Sequence, residues 1–473
     1  MVRRMLVAIL TIALRVFFRR IEVKGLKHVS REGATIFVLN HPNALVDPVF
    51  LLCYAPRRVS FLAKAPIFKM PVIGWFARTL EAIPVYRRQD EGADVSRNQE
   101  TFARARNLLK RGGTLAICPE GVSHSDTKLR PLKTGAARIA LGVVAEDANL
   151  ELKIIPAGLY YTAKTAFRSA ALLRFGEPLR VEPVAFDANG EPPAAAVHAL
   201  SARIERALHD VTLNAEHQQA LAIIKRAERI FTAAAATDED GDLQADAQSL
   251  AREVELQRRF LAGYAFHFER SPERLAALEA RIHRYEEQLR QAGIDLEDLS
   301  APAATPGQVA GYFFTRVLPV LYWFPLALFG ILAHYPAYKL AGFIAVAITR
   351  RNEDSNDVVS TIKLIAAMLL FPLTWGALAA VFYYLLGWPG ILLGLFLGPV
   401  SAAVALLFRE RLDGFIGGAR AIRFYLTRRW FFKELLVERK HLREEMIALG
   451  EEAAAAASNA AVVMPAAPTS NTI

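Results

Sequence analysis

A histidine and an aspartate stand close together in residues 39–48, which read L-N-H-P-N-A-L-V-D-P. His41 can remove a proton from a hydroxyl near neutral pH, and Asp47 can accept the other ring N–H and fix the tautomer. Residues six apart point ~240° apart on a helix, so the two side chains meet only if the loop turns back on itself. Pro42 and Pro48 favour such a loop. The pair is therefore a candidate for acid–base chemistry.

A structural interpretation of Asp47 stays open beside the catalytic one. Asp-Pro is a common start of a helix, with Asp as the N-cap and Pro48 at the first helical position. A metal site at His41 and Asp47 is not predicted, because no third ligand follows at a recognisable spacing.

Short strands and helices alternate around this pair. The apolar run Ala34–Leu39, with three β-branched residues, predicts a buried strand directly before His41. We therefore predict an α/β fold with a mixed, largely buried sheet over residues 21–180. The predicted strands are 34–39, 59–63, 82–86, 114–118, 153–159 and 172–175, and the predicted helices are 95–110 and 134–145, the second with Thr134 as its N-cap.

Charged residues recur at or near the ends of the predicted strands. The sequence I-P-V-Y-R-R ends one strand with two arginines, which suit bidentate contacts to phosphate. C-P-E-G follows another strand, and R-P-L-K-T-G leads into a helix whose N-terminus attracts anions. The residues concerned are Arg87, Arg88, Glu120, Gly121, Arg130 and Lys133. Taken singly, the arginines are equally consistent with a solvated surface and Pro-Glu-Gly with a simple turn.

Residues 25–160 resemble the glycerolipid acyltransferase family, which makes lysophosphatidic and phosphatidic acids. Four blocks carry the resemblance in order: Asn40-His41 through Asp47-Pro48, I-P-V-Y-R ending at Arg87, Pro119-Glu120-Gly121, and Ile155-Pro156-Ala157-Gly158. The stretch K-A-P-I-F-K-M-P-V-I-G, which begins at Lys64, is similar to the family's connecting segment.

The resemblance implies roles for these residues. His41 would deprotonate an acceptor hydroxyl, which attacks the thioester of acyl-CoA or acyl-carrier protein, and Asp47 would orient His41. The implied substrate-binding residues are Lys64, Arg87, Arg88, Glu120, Gly121, Arg130 and Lys133. The Pro156 block would help shape the acyl or acceptor pocket. No metal and no cofactor are implied beyond the thioester co-substrate.

Two departures from the family pattern point to one branch. Five residues separate His41 from Asp47 where four are usual, and the third block reads P-E-G-V-S-H without the usual arginine. Both resemble the fungal-type branch that acts on glycerol-3-phosphate or dihydroxyacetone phosphate. We therefore expect acylation of the sn-1 hydroxyl of glycerol-3-phosphate. The alternatives are sn-2 acylation of lysophosphatidic acid, acylation of another lysophospholipid, and a membrane scaffold with an inactive acyltransferase domain.

Composition indicates a membrane protein. The 473 residues are 53% hydrophobic, the mean hydropathy is +0.22, and the net charge of +10 favours anionic partners such as lipid headgroups or phosphorylated substrates. A nucleic-acid partner is not predicted, because the aromatic residues concentrate in the apolar segments. The two cysteines, Cys53 and Cys118, form no disulfide framework, which favours a reducing compartment.

The whole chain is predicted to have six regions. Residues 1–20, with five arginines and no acid, predict a helix lying in the membrane interface; an amphipathic helix packed on the next domain is the alternative. The other regions are an acyltransferase domain over 21–190, helical hairpins over 195–298, transmembrane or re-entrant helices over 310–408, a basic cytoplasmic helical segment over 409–450, and a disordered tail over 451–473.

Charge beside the apolar region predicts the topology. Residues 364–408 contain no Asp, Glu, Lys or Arg and suit two spans joined at the G-W-P-G turn. Residues 409–440 carry nine Lys or Arg against four acids, which places them on the cytoplasmic side. A cytoplasmic catalytic domain on the inner cell membrane then requires residues 310–349 to cross the membrane twice or to re-enter, and their prolines favour a re-entrant hairpin. A single crossing is the alternative.

Overall fold

The computed structural model describes residues 1–87, 95–215, 218–235, 249–296, 318–351 and 358–463. These residues form two compact units. The first unit comprises Met1–Asn214 with Tyr338–Leu370, and the second comprises Ala215–Ala337 with Phe371–Ile473.

A mixed sheet of eight strands forms the centre of the first unit. The strand order is β1-β7-β6-β2-β5-β3-β4, with β8 paired to β6; β6–β7 and β6–β8 are antiparallel and the other pairs are parallel. The strands are β1 Arg20–Lys24, β2 Ala34–Leu39, β3 Ser60–Lys64, β4 Ile83–Val85, β5 Thr114–Ile117, β6 Leu152–Tyr161, β7 Ala170–Phe175 and β8 Leu179–Arg180. The predicted α/β class with a mixed sheet is confirmed, although β1 and β8 were not predicted.

Strand β2 lies at the middle of the sheet and all six of its residues are buried. Alternate side chains enter the cores on opposite faces, because successive residues of a strand point to opposite sides. Phe37 and Leu39 face one core, and Ile36 and Val38 face the other. Since β2 runs parallel to both β5 and β6, the residues that follow β2 and β5 emerge at the same edge.

Helices cover both faces of the sheet. On one face α1 and α2 join the core with Phe37, and on the other α4, α5 and α6 join the core with Ile36. The sixth helix lies within the region predicted as helical hairpins, yet it packs on the sheet. The helices of the first unit are α1 Val2–Phe17, α2 Val46–Tyr54, α3 Pro71–Thr79, α4 Asn98–Lys110, α5 Gly135–Glu146 and α6 Ala194–Val211.

The N-terminal helix α1 has two apolar faces. Leu6, Leu10 and Leu14 are buried in the core of the first unit. Met5 and Ile12 point outward and are 58% and 64% exposed. The helix therefore packs on the domain and also presents an apolar outer surface of the kind that binds a membrane interface.

In the second unit four helices pack around one hydrophobic core. They are α7 Gln218–Ala235, α8 Leu250–Arg270, α9 Pro272–Ala292 and, from the end of the chain, α13 Arg429–Val463. The core includes Tyr285 and Leu442. Residues 451–463, predicted as part of a disordered tail, instead continue α13, because their run of alanines has the highest helix propensity. Residues 464–473 lie outside the described residues.

Among the described residues, three further helices are long and apolar enough to cross a membrane. They are α10 Leu318–Arg351, α11 Val359–Leu386 and α12 Trp388–Thr427, with apolar windows over Leu321–Thr349, Val359–Leu386 and Trp388–Leu412. The turn predicted around Gly387 separates α11 from α12. The re-entrant hairpin predicted within residues 310–349 was wrong for the described part, where α10 continues unbroken past Pro325 and Pro336. Neighbouring helices allow prolines inside a membrane helix.

Candidate active site

His41 and Asp47 meet just beyond the carboxyl end of β2. His41 Nδ1 lies 2.9 Å from Asp47 Oδ2, so Nδ1 carries the proton and donates it to the carboxylate. The other ring nitrogen, Nε2, then keeps its lone pair and can act as a base. Asp47 is fully buried, whereas 19% of the His41 side chain is exposed. A substrate hydroxyl can therefore reach the histidine and not the aspartate.

The loop between these residues turns back because three contacts fix it. The Asn40 side chain extends the ladder between β2 and β6: its amide nitrogen donates to the Leu159 carbonyl at 2.9 Å, and its oxygen accepts from the Leu159 N–H at 2.7 Å. Ala44 has a left-handed φ of +31°. The Asn43 N–H donates to Asp47 Oδ2 at 2.7 Å. The five-residue spacing is thus accommodated by one left-handed residue.

Asp47 does not serve as the N-cap of α2. Helix α2 begins at Val46 with Leu45 as its N-cap residue, and no side chain caps it. The other carboxylate oxygen, Oδ1, accepts a hydrogen bond of 2.6 Å from the Tyr161 hydroxyl at the end of β6. Burial and the Asp47 charge raise the pKa of Tyr161 well above its ordinary value, so it stays a donor.

The surroundings of His41 determine its proton affinity. Burial lowers the pKa of its imidazole, whereas the neighbouring Cys118 sulfur and the Asp47 carboxylate raise it. The net result is a pKa well above the ordinary value of 6.5. His41 is thus a stronger base than a free imidazole.

Glu120 ties the loop after β5 to the loop after β2. One oxygen accepts the His41 backbone N–H at 3.0 Å. The other accepts the Arg130 backbone N–H at 2.9 Å and contacts the His124 Nε2 atom. The Glu120 carboxylate is buried and accepts hydrogen bonds from the protein itself, so it holds the two loops together.

Two cationic side chains converge on Gly121, which follows Glu120. Arg87 donates to the Gly121 carbonyl at 3.0 Å. Lys133 lies so close that a Cβ on Gly121 would stand 2.6 Å from its Nζ atom, and Gly121 also has a φ of +74°. A residue with a Cβ would be strained in this conformation and would displace the end of the Lys133 side chain. Arg87 follows β4 and the Lys133 N–H donates to the Pro119 carbonyl just after β5, so both cations lie near the carboxyl ends of these strands.

The other predicted binding residues are placed as follows. Lys64 ends β3 beside Val85 and is exposed. The side chain of Arg130 pairs with Asp126 at 2.6 Å, and both are about half exposed. Arg88 lies outside the described residues. In the fourth block, a Cβ on Gly158 would stand 2.0 Å from the Val211 carbonyl at the end of α6, so this glycine allows close packing.

Comparison with known proteins decides the family. An acyltransferase profile matches residues 20–160, and a profile for the C-terminal domain of glycerol-3-phosphate acyltransferase 2 matches residues 243–452. Glycerol-3-phosphate O-acyltransferase 1 of Saccharomyces cerevisiae is 27% identical over 91% of this chain and 68% of its own length. The predicted resemblance to the glycerolipid acyltransferase family is confirmed.

Two further relatives show how far the similarity of this acyltransferase extends. Glycerol-3-phosphate O-acyltransferase 2 of Saccharomyces cerevisiae is 27% identical over 59% of the chain and 37% of its own length. A chloroplastic 1-acyl-sn-glycerol-3-phosphate acyltransferase of Brassica napus is 28% identical over 31% of the chain and 39% of its own length. The predicted similarity to the fungal-type branch is confirmed, and the apolar helices make the enzyme membrane-associated.

Sequence reasoning missed several residues of this acyltransferase site. Tyr161 bonds Asp47 from a strand 114 residues away. Asn43 supplies its N–H to Asp47, and Lys164 donates to the Pro42 carbonyl at 3.0 Å. No local pattern marks these residues. Only the pairing of β2 with β6 could have indicated that Tyr161 lies near Asp47.

Proposed function

We propose that the enzyme transfers a fatty acyl group from acyl-CoA or acyl-carrier protein to the sn-1 hydroxyl of glycerol-3-phosphate. The observation that carries the proposal is the contact between His41 and Asp47. It leaves Nε2 basic, on a side chain that is 19% exposed, at an edge that also holds Arg87 and Lys133. The acceptor hydroxyl must lose its proton to a base, and the phosphate of the acceptor is bound by cations. The site contains both kinds of group.

The reaction proceeds by direct transfer. His41 Nε2 takes the hydroxyl proton as the oxygen attacks the thioester carbonyl carbon, and the new C–O bond gives a tetrahedral intermediate. The C–S bond then breaks, and His41 returns the proton to the departing sulfur, so the carrier leaves as a thiol and the imidazole is neutral again. Asp47 stabilises the imidazolium and keeps Nδ1 protonated, and Tyr161 and the Asn43 N–H hold Asp47 in place. No metal or further cofactor enters the proposal.

Glycerol-3-phosphate is favoured over lysophosphatidic acid by the extent of the similarity. The relative named for glycerol-3-phosphate matches 91% of the chain, including the region after the catalytic domain. The relative named for 1-acyl-sn-glycerol-3-phosphate matches 31%. The catalytic domain is proposed to act on the cytoplasmic face of the inner cell membrane, where anionic lipid and soluble thioester are both available.

Purified protein with labelled acyl-CoA, offered each acceptor separately, tests the proposal. We expect labelled lysophosphatidic acid from glycerol-3-phosphate, and a fall in kcat of ~10²–10⁴ in His41→Ala. His198→Ala, at an exposed position on α6, is the matched control and should keep wild-type activity. Unchanged acylation by His41→Ala would contradict the role of the base, and exclusive use of lysophosphatidic acid would contradict the choice of acceptor.

A further inference from the structure

The loop between β6 and β7, residues 162–169, contacts both the His41 loop and helices of apolar sequence. We call it the bridge loop. All of its contacts described below lie within the first unit. Nothing in the proposed reaction assigns a role to its one lysine, Lys164.

The Lys164 ammonium joins the backbone around His41 to the loop after β5. It donates to the Pro42 carbonyl at 3.0 Å, to Ser125 Oγ at 2.6 Å and to the His124 carbonyl at 3.4 Å. Pro42 follows His41 directly, and the His124 N–H donates to the His41 carbonyl at 3.1 Å. The Lys164 side chain therefore ties the residue that follows His41 to the loop after β5.

The backbone of the bridge loop is held in turn by the first turn of α11. Ser360 Oγ, which is fully buried, donates to the Lys164 carbonyl. Lys363 Nζ donates to the Thr165 carbonyl at 2.9 Å. One residue further on, Leu364 joins the core that also contains Tyr161. A candidate membrane helix thus begins by binding the carbonyls of the bridge loop.

The far end of the bridge loop is fixed as firmly. The Phe167 ring packs edge-on against Phe17 of α1 at 5.9 Å and lies 6.0 Å from Tyr338 of α10. Arg168 has a left-handed φ of +66°, a strained conformation for a residue with a Cβ. Its backbone N–H and guanidinium donate to carbonyls in the last turn of α1 at 2.7 to 3.2 Å. Because the bridge loop is held at both ends, we expect a displacement of α11 to move Lys164 as well.

We propose that Lys164 is a positioning residue for acyl transfer, and that the bridge loop couples the position of α11 to the position of His41. The inference rests on the proposed role of His41 as base. In this assignment Lys164 fixes backbone and touches no substrate. Its loss should therefore lower kcat and leave KM unchanged, because a misplaced base weakens the transition state and not ground-state binding.

The variant Lys164→Met tests the positioning role, since it keeps the length of the side chain and removes its donors. We expect kcat to fall about 10- to 100-fold, with the KM for glycerol-3-phosphate and the acid limb of the pH profile unchanged. Lys27→Met, at an exposed lysine, is the control and should behave as wild type. A raised KM would overturn the inference, because it would show that the ammonium binds the acceptor. Unchanged kinetics would overturn it too.

Ser125→Ala provides a second route if Lys164→Met fails to fold. It removes one acceptor and keeps the lysine, so a smaller fall in kcat at constant KM is expected. The coupling to α11 is tested by combining Ser360→Ala with Lys363→Met in the full-length enzyme, reconstituted in phospholipid vesicles. A fall in kcat at constant KM supports the coupling, and an unchanged kcat refutes it.

The two proposals fail separately. Acylation of glycerol-3-phosphate by the wild-type enzyme decides the proposed function. The ratio of variant to wild-type kcat decides the positioning role, and it is measured with lysophosphatidic acid if that proves to be the acceptor.

Discussion

At the scale of single residues, Asp47 determines what His41 can do. Its carboxylate accepts the His41 Nδ1–H, the Asn43 N–H and the Tyr161 hydroxyl, and it is fully buried. Because the pKa of His41 is raised well above 6.5, the base is protonated at low pH. Activity should therefore rise as the pH increases through that pKa.

Asp47→Asn should move this acid limb to lower pH. Without the carboxylate the imidazolium loses a stabilising charge, so the pKa of His41 falls. The maximal rate should fall as well, because an amide can hold the wrong tautomer. The profile of kcat/KM against pH measures both effects. An acid limb at the wild-type pH in a folded variant would argue against His41 as the titrating base.

Tyr161→Phe should move the limb in the opposite direction. The tyrosine hydroxyl donates to Asp47 Oδ1 and disperses its charge; without it, Asp47 attracts the imidazolium more strongly and the pKa of His41 rises. The free energy of unfolding should decrease by about 1 kcal/mol, the usual net contribution of one hydrogen bond. The same pH profile, with urea unfolding, checks both statements. A downward shift would contradict this account of the network.

The sequence indicated His41 and Asp47 because they lie in one short loop, but it could not indicate Tyr161. The hydroxyl reaches Asp47 only because β2 and β6 pair with Leu39 opposite Ala157, which leaves Tyr161 beyond the end of β2. Glu120 was predicted to bind substrate. In the structure its carboxylate accepts the backbone N–H groups of His41 and Arg130. The sequence could not predict these partners, because they depend on how two separate loops approach each other.

At the scale of elements, Gly121 shows how a turn positions the cations. Gly121→Ala should raise the KM for glycerol-3-phosphate by about tenfold, equivalent to about 1.4 kcal/mol. Its Cβ would occupy the space of the Lys133 side chain, which would have to move. The KM for the acyl donor should change little, because the proposed function places Lys133 at the phosphate of the acceptor.

Gly190→Ala is the matched control for that substitution. Gly190 has a φ of +71°, close to that of Gly121, but nothing lies within 4 Å of its missing Cβ. Both variants should lose a similar roughly 1–2 kcal/mol of stability from the left-handed conformation, which thermal unfolding measures. Only Gly121→Ala should show the raised KM. Equal KM values in the two variants would show that Lys133 does not bind the acceptor.

The strands that the sequence predicted are those with continuous apolar runs. The buried strands β2 and β5 differ from prediction by at most one residue at an end. The strand β1, R-I-E-V-K, was missed because it lies at the edge of the sheet and is only partly buried, so its composition is mixed. In α10 the prolines predicted an interruption of the helix, but the helix continues through them. Neighbouring helices in a membrane reduce the energetic cost of a proline inside a helix.

At the scale of the whole molecule, the chain combines a catalytic domain with apolar helices, which suit the proposed substrates. A fatty acyl chain and an acylated product partition into lipid, whereas glycerol-3-phosphate and a thioester carrier are soluble. An enzyme that joins them must work at an interface. The apolar outer face of α1 and the seating of α11 on the bridge loop both serve this arrangement in the first unit.

The helical core of the second unit restricts how the polypeptide threads through the bilayer. Leu296 precedes α10 and Phe432 follows α12, yet both pack in the same core. We therefore expect the residues on either side of the apolar region to lie in one aqueous compartment, with an even number of membrane crossings between them. Three complete passes by α10, α11 and α12 with no other crossing would contradict this expectation.

Labelling with a membrane-impermeant maleimide tests whether the number of crossings is even. In a variant with Cys53 and Cys118 replaced by serine, single cysteines at the exposed positions of Arg284→Cys and Lys433→Cys should label from the same side of sealed vesicles. Trp388→Cys, at the turn between α11 and α12, should label from the other side. Opposite labelling of the first two would mean that the core does not form in the membrane. The side from which each cysteine is labelled thus shows whether the number of crossings between Arg284 and Lys433 is even.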